Sequence, residues 1–255
     1  MLELYHRYLQ GHYQEVYDEL FLLQERVYDD HVREDGRLVA KEIMRRVRWN
    51  IELIIPRLRD VGYQFGEGFW NPSDNPLPEE RAAIEKDIPV LGHPTPETPQ
   101  QVAHLEKLVG PLPLSLTYCY TEVGSVNLIG SFSSASEQQF GKGYGYGLDP
   151  LFVYSVEMAL QMVATYLVHD MWKNDPILAL SPDSDYKYAR SGSGVYGIHL
   201  PCKAFDAYLL LEPHHTTFVN YLRLCFQWGG FPGLEQDCRL SREELAYLTK
   251  DLLPF

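Results

Sequence analysis

The chain has 255 residues, 45% hydrophobic and 22% charged, which is enough for a folded core and excludes a disordered or fibrous polypeptide. Acidic residues number 35 against 22 basic ones, and the formal net charge of −13 opposes binding to a phosphate backbone and favours a basic partner. Four cysteines (Cys119, Cys202, Cys225, Cys238) form no C-x-x-C pair, and no apolar run nears the ~20 residues of a membrane span.

In chain order, residues 1–65 predict a helical hairpin. Leu9, Tyr13, Val16, Leu20, Leu23 and Val27 alternate spacings of four and three, which is one apolar stripe. Asp29 to Gly36 interrupts it, and Val39, Ile43, Val47, Ile51, Ile54, Leu58 and Val61 repeat it. Pro56 inside the second stripe predicts a kink or a fresh start, and Gly62 a stop. The stripes pack on the rest of the chain or pair with a second copy. Residues 66–98 carry seven prolines with Pro99 just beyond included, and read as a linker.

Residues 99–235 read as an α+β domain, and 236–255 as a helical tail. Gln100–Val109 is a helix stopped by Gly110-Pro111, and Leu114–Val123 a second one ending at Gly124. Ser125–Phe132 alternates like one strand, and Leu151–Tyr154 is another. Ser155 is placed to cap a helix reaching His169. Ile177–Leu180 is a buried strand, and Tyr186–Arg190, Gly194–His199 and Ala207–Leu211 read as a strand meander. Thr216 or Thr217 opens the helix that runs to Trp228. Ser241 and Glu244 form a capping box for the last helix.

Motifs that carry chemistry are few. Gly141-Lys-Gly-Tyr-Gly-Tyr-Gly147 lacks both phosphate-loop spacings and reads as a loop with exposed tyrosines. Glu212-Pro-His-His215 holds adjacent histidines without a partner cluster, so it reads as a connection between the last strand and helix rather than a metal site. His169-Asp170 lacks the further histidines of a metal phosphohydrolase. Ser193 sits in turn chemistry, and Cys119 and Cys225 fall at apolar helix positions. Arg45-Arg-Val-Arg48 followed by Trp49 is the main basic cluster, expected to face water or to pair with acidic residues of the first helix such as Glu15, Asp18 and Glu19. Asp183 and Asp185 read as turn residues, while an unrecognised hydrolase would use them with His214. No motif calls for a metal or a cofactor.

Val102, Leu105-Glu106, Val109-Gly110, Leu112-Pro113, Tyr120 and Gly124, then Phe205-Asp206 and the helix Phe218–Trp228, form a spaced set. This set resembles the SUKH superfamily, which includes cell-wall-synthesis regulators and bacterial immunity proteins. Gly124-Ser125 departs from the double glycine common in that family. The resemblance implies an α+β fold with a mixed or antiparallel sheet packed by helices. It also implies a non-enzymatic protein-binding role, with a basic toxin domain as partner or, alternatively, an adaptor role for envelope or signalling proteins. The expected contact loops carry Tyr144, Tyr146, Tyr186, Tyr188, Glu212, His214 and His215. The setting expected from the thiols and the missing leader is cytoplasmic.

Overall fold

The computed structural model describes residues 2–66, 89–132, 148–168, 176–187, 194–236 and 240–255. The fold is α+β: helices pack around small antiparallel sheets. The chain opens with α1 (Glu3–Leu9) and α2 (Tyr13–Leu22), separated at Gly11 (φ +103°), then a 3₁₀ turn Gln24–Tyr28. The long α3 (Arg33–Asp60) follows. Its stripe Val39, Ile43, Val47, Ile51, Ile54 and Leu58 is at most 1% exposed, so the apolar period sets both its length and its central place. Backbone helicity continues through Pro56 to Asp60 rather than restarting. Pro56 faces water, while Ile54 and Leu58 on either side are fully buried and hold the helix in register. Gly62 takes φ +84° and ends the segment, as its position predicts.

β1 (Tyr63–Phe65) leads out of the helical part, and β2 (Leu91–Gly92) precedes α4 (Thr98–Val109). Next comes α5 (Leu114–Tyr118), continued by a π-helical turn Cys119–Val123. Gly124 has φ +93°, and a Cβ there would lie 1.9 Å from the Gly92 carbonyl oxygen, so only glycine lets β2 approach.

The alternating run from Ser125 to Phe132 is two strands in two sheets, not one. β3 (Ser125–Asn127) lies between β2 and β5 (Phe152–Val153), while β4 (Gly130–Phe132) pairs β1. The Asn127 side chain accepts the Ile129 N–H at 3.1 Å and turns the chain between them.

α6 (Val156–Val168) starts where Ser155 Oγ accepts the Met158 N–H at 3.2 Å, the expected cap. β6 (Ile177–Pro182) pairs β7 (Val195–His199) with a bulge between Ala179 and Ser181. The expected meander is shorter. Ser184–Lys187 is a helical turn, α7, where the reading placed the start of a strand, and residues 188–190 lie outside the described set. Around Ala207–Leu211 only the bridges Gly197 to Leu210 and Tyr208 to Thr217 form. α8 (Phe218–Gln227), a 3₁₀ helix Pro232–Gln236 and α9 (Arg242–Thr249) complete the chain. The predicted capping box of α9 is present, with Ser241 and Glu244 exchanging bonds at 3.1 and 2.7 Å.

The N-terminal helices share one hydrophobic core with the later elements, from Tyr8 to Phe255. α3 touches α1, α5, the π turn, β1 and α9. Its apolar stripe is therefore spent inside the chain and is not a surface open to a second copy. No helix among the described residues is long and apolar enough to cross a membrane.

Candidate interaction surface and the polar network behind it

Asp206 is the polar centre that fixes α2 to the later part of the chain. It is 2% exposed. Its Oδ2 accepts from Tyr17 Oη at 2.8 Å and from the Val219 N–H at 3.0 Å, and its Oδ1 accepts from Ser115 Oγ at 2.7 Å. The Val219 N–H is one of the unpaired donors of the α8 N-terminus, so Asp206 caps that helix from outside it. Thr217, one of the two residues expected to open this helix, places its hydroxyl 2.6 Å from Tyr17 Oη. Burial pushes the Asp206 carboxyl above the usual carboxylate range, and the hydrogen bonds from Ser115, Tyr17 and the Val219 N–H work against that shift.

A second buried centre joins Asp149, Lys187 and Tyr196. Lys187 Nζ lies 2.6 Å from Asp149 Oδ1, Tyr196 Oη donates to Asp149 Oδ2 at 3.1 Å, and the ammonium sits 4.8 Å from the Tyr196 ring centre. Lys187 is 1% exposed. Burial, then the Asp149 charge, raises the Tyr196 phenol well above its ordinary value.

The third centre lies in the bend from Leu211 to His215. Glu212 has no exposure at all, so it works behind the surface rather than on it. Its Oε2 accepts the His214 N–H at 2.9 Å and its Oε1 meets His214 Nδ1. His214 Nε2 reaches Glu235 Oε1 at 3.2 Å. Burial disfavours the imidazolium, but the hydrogen bond and charge of Glu212, joined by Glu235, outweigh it and raise His214 above the ordinary histidine value.

In front of these centres lies a surface the sequence reading missed in part. Tyr208 is 61% and Leu211 68% exposed, and His215 is exposed beside them. The Tyr208 ring meets Phe21 of α2 edge-on at 5.9 Å, and Leu22, next in sequence, is 78% exposed. On the outer face of α2, Glu15, Asp18 and Glu19 are exposed at helical spacing. Arg7 pairs with Glu19 at 2.6 Å and approaches Glu15 at 3.7 Å, His12 Nδ1 lies 3.1 Å from Glu15, and the Gln14 amide donates to Asp18 at 2.8 Å.

Of the residues expected at the contact loops, Tyr144, Tyr146 and Tyr188 lie outside the described residues, and Tyr186 belongs to the α7 turn. The structure brings together their neighbours: Asp149, which follows the glycine-rich stretch 141–147 in sequence, and Lys187, which lies between the two tyrosines. Asp183 Oδ2 accepts the Gly194 N–H at 2.7 Å, the turn role read from sequence, and Asp185 is exposed. Among the described residues, no three His, Cys, Asp or Glu side chains are grouped to hold a metal ion. Burial pushes the Cys119 thiol up to about 12, and residues 141–147, His169, Asp170, Ser193 and Cys238 fall outside the described set.

The ion pairs of the basic cluster lie within its own helix, while Arg46 also sits 4.6 Å over the Tyr13 ring of α2. Arg45 and Arg46 both hold Glu42, and Arg48 holds Glu52, at 2.7 to 2.9 Å. The reason is spacing, since three- and four-residue steps bring these side chains together on α3. Arg45, Arg48, Trp49, Glu52 and Glu122 line a shallow depression of about 250 Å³.

No known protein family, curated protein or solved structure matches this chain.

Proposed function

We propose that this protein is a non-enzymatic binding module for a basic protein partner, acting as an immunity protein that neutralises a nuclease-like toxin domain. One observation carries the reading. The carboxylates Glu15, Asp18 and Glu19 are exposed on α2, and Phe21 of the same helix meets the exposed ring of Tyr208 edge-on at 5.9 Å. Acidic groups draw in a basic partner over long range, and aromatic and aliphatic anchors hold it at contact. The net charge of −13 adds to that attraction. The SUKH resemblance of residues 99–235 supports the same role, and Asp206, which belongs to the resembling set, is the residue that locks α2 in place. The described cysteines, Cys119, Cys202 and Cys225, are free thiols, which suits the cytoplasm.

The test is capture of partners from the native host by the tagged full chain, followed by rate measurements on the purified pair. A stoichiometric basic toxin domain, with an association rate that falls steeply with salt and with Glu15→Gln/Asp18→Asn/Glu19→Gln, is the expected result. Recovery of envelope or signalling proteins alone would assign the chain to adaptors instead.

A further inference from the structure

Two left-handed residues bracket the bend that carries part of this surface. Leu211 has φ +61° and His215 φ +52°. Side chains rarely adopt that region, and such positions persist only where neighbouring contacts hold them. The contacts here converge on Glu212. Its side chain accepts the His214 N–H at 2.9 Å, and its carbonyl accepts the His215 N–H at 3.1 Å.

The His214 ring adds the link to the next element. Nδ1 faces Glu212 Oε1, and Nε2 faces Glu235 Oε1 at 3.2 Å. An ionised carboxylate only accepts hydrogen bonds, so both contacts together require both ring N–H groups, which only the imidazolium has. The charged groups facing the ring are Glu212 from the bend itself and Glu235 from the 3₁₀ helix Pro232–Gln236. A neutral ring keeps one N–H. It stays with Glu212, whose side chain is wholly buried and is costly to leave unpaired, while that of Glu235 is 34% exposed and can turn to water.

We propose that His214 is a proton-operated latch: while its imidazolium bridges Glu212 and Glu235, the 211–215 bend is pinned to the 3₁₀ helix and holds Leu211 and His215 in their binding form. When the proton leaves, the Glu235 contact opens and the bend loosens. The pH direction follows from the two carboxylates, which raise His214 above 6.5. The latch is fully engaged below the unfolded histidine value of about 6.5 and is lost as pH rises through the higher folded value. Its effect on binding rests on the proposed contact surface, but the latch itself does not.

The experiment follows the His214 ring nitrogens of the full chain by NMR from about pH 5 to 9, with backbone amide exchange corrected for intrinsic rate, in wild type and Glu235→Gln. Partner capture is repeated at both ends of the range. The expected result is a His214 titration above the ordinary value, loss of the Nε2 proton first, and a fall of about tenfold in protection of the His214 and His215 amides across it. Glu235→Gln, at an exposed position, lowers the titration point and removes the change in protection. A ring already neutral at about pH 6, or protection unchanged through the titration, overturns the latch. An intact latch in the spectra with no partner captured at either pH supports the latch and counts against the proposed function alone.

Discussion

Replacing Asp206 with alanine tests the network that positions α2. The change removes an acceptor shared by three donors, namely Tyr17 Oη, Ser115 Oγ and the Val219 N–H. Their costs differ. Tyr17 keeps its contact with Thr217 Oγ1 at 2.6 Å and loses little. Ser115 is 1% exposed and Val219 wholly buried, so each is left with an unmet donor at roughly 1–3 kcal/mol. Against this, alanine removes a carboxyl whose charge is itself disfavoured by burial. The balance is a loss of about 3 kcal/mol, or about 6–12 °C in Tm for a domain of this size.

Asp206→Asn retains one acceptor oxygen and removes the buried charge, so its loss is about 1 kcal/mol. Urea unfolding and thermal scans give both values, and a cycle with Tyr17→Phe gives the coupling, expected near 1 kcal/mol. Asp206→Ala within about 0.5 kcal/mol of wild type, or no coupling to Tyr17, would refute the reasoning. The pH dependence supplies a further check. The folded carboxyl titrates above its unfolded value of 3.8, so its contribution is complete below that value and is lost as pH rises through the folded one. Wild type should therefore lose stability relative to Asp206→Asn as pH rises from about 4.

Lys187→Met strands the buried Asp149 carboxylate and should cost about 3–5 kcal/mol in urea unfolding, with most of it recovered in Lys187→Met/Asp149→Leu. Equal costs for single and double variants would mean the ion pair is not the source. Gly124→Ala drives a Cβ into the Gly92 carbonyl at φ +93°, and the expected outcome is a loss of at least about 3 kcal/mol or of soluble folded protein, read by yield and Tm. Tyr208→Ala and Leu22→Ser should each weaken partner binding by at least about tenfold in calorimetry while leaving stability within about 1 kcal/mol, because both side chains are largely exposed. Binding that is untouched by both would move the contact surface elsewhere.

Periodicity made most helices legible. The stripe of α3, the stops at Gly62, Gly110 and Gly124, and the caps at Ser155 and Ser241 all act within a few residues, and such local chemistry is printed in the sequence. The division of Ser125–Phe132 was not legible by alternation, because Leu128 and Ile129 are both buried and face different neighbours. Only the Asn127 side chain marks the turn. Lys187 was missed for a related reason. Between two tyrosines it reads as the outward residue of a strand, whereas the helical turn carries it inward to Asp149, 38 positions away. Glu212 and His214 both read as contact-loop residues, because nothing in Glu-Pro-His-His tells a buried carboxylate from an exposed one.

The proposed contact surface was the least legible feature because its halves lie at opposite ends of the chain. Tyr17 and Asp206 are separated by 189 positions, and Phe21 meets Tyr208 one helical turn farther along. No spacing rule reaches across that gap; only the bond that closes it does. The surface should therefore depend on that bond beyond its effect on stability. In Asp206→Asn, which remains folded, the loss of part of the anchor lets α2 shift against the 207–211 segment, and Phe21 no longer holds Tyr208 in place. Partner affinity should then fall by several-fold at a temperature where the variant is fully folded, because ordering both halves again is charged against binding. The salt dependence of association should stay unchanged, since Glu15, Asp18 and Glu19 remain where they steer the encounter. A variant that is folded and binds like wild type would show that the two halves act separately, and that α2 alone is enough to recognise the partner.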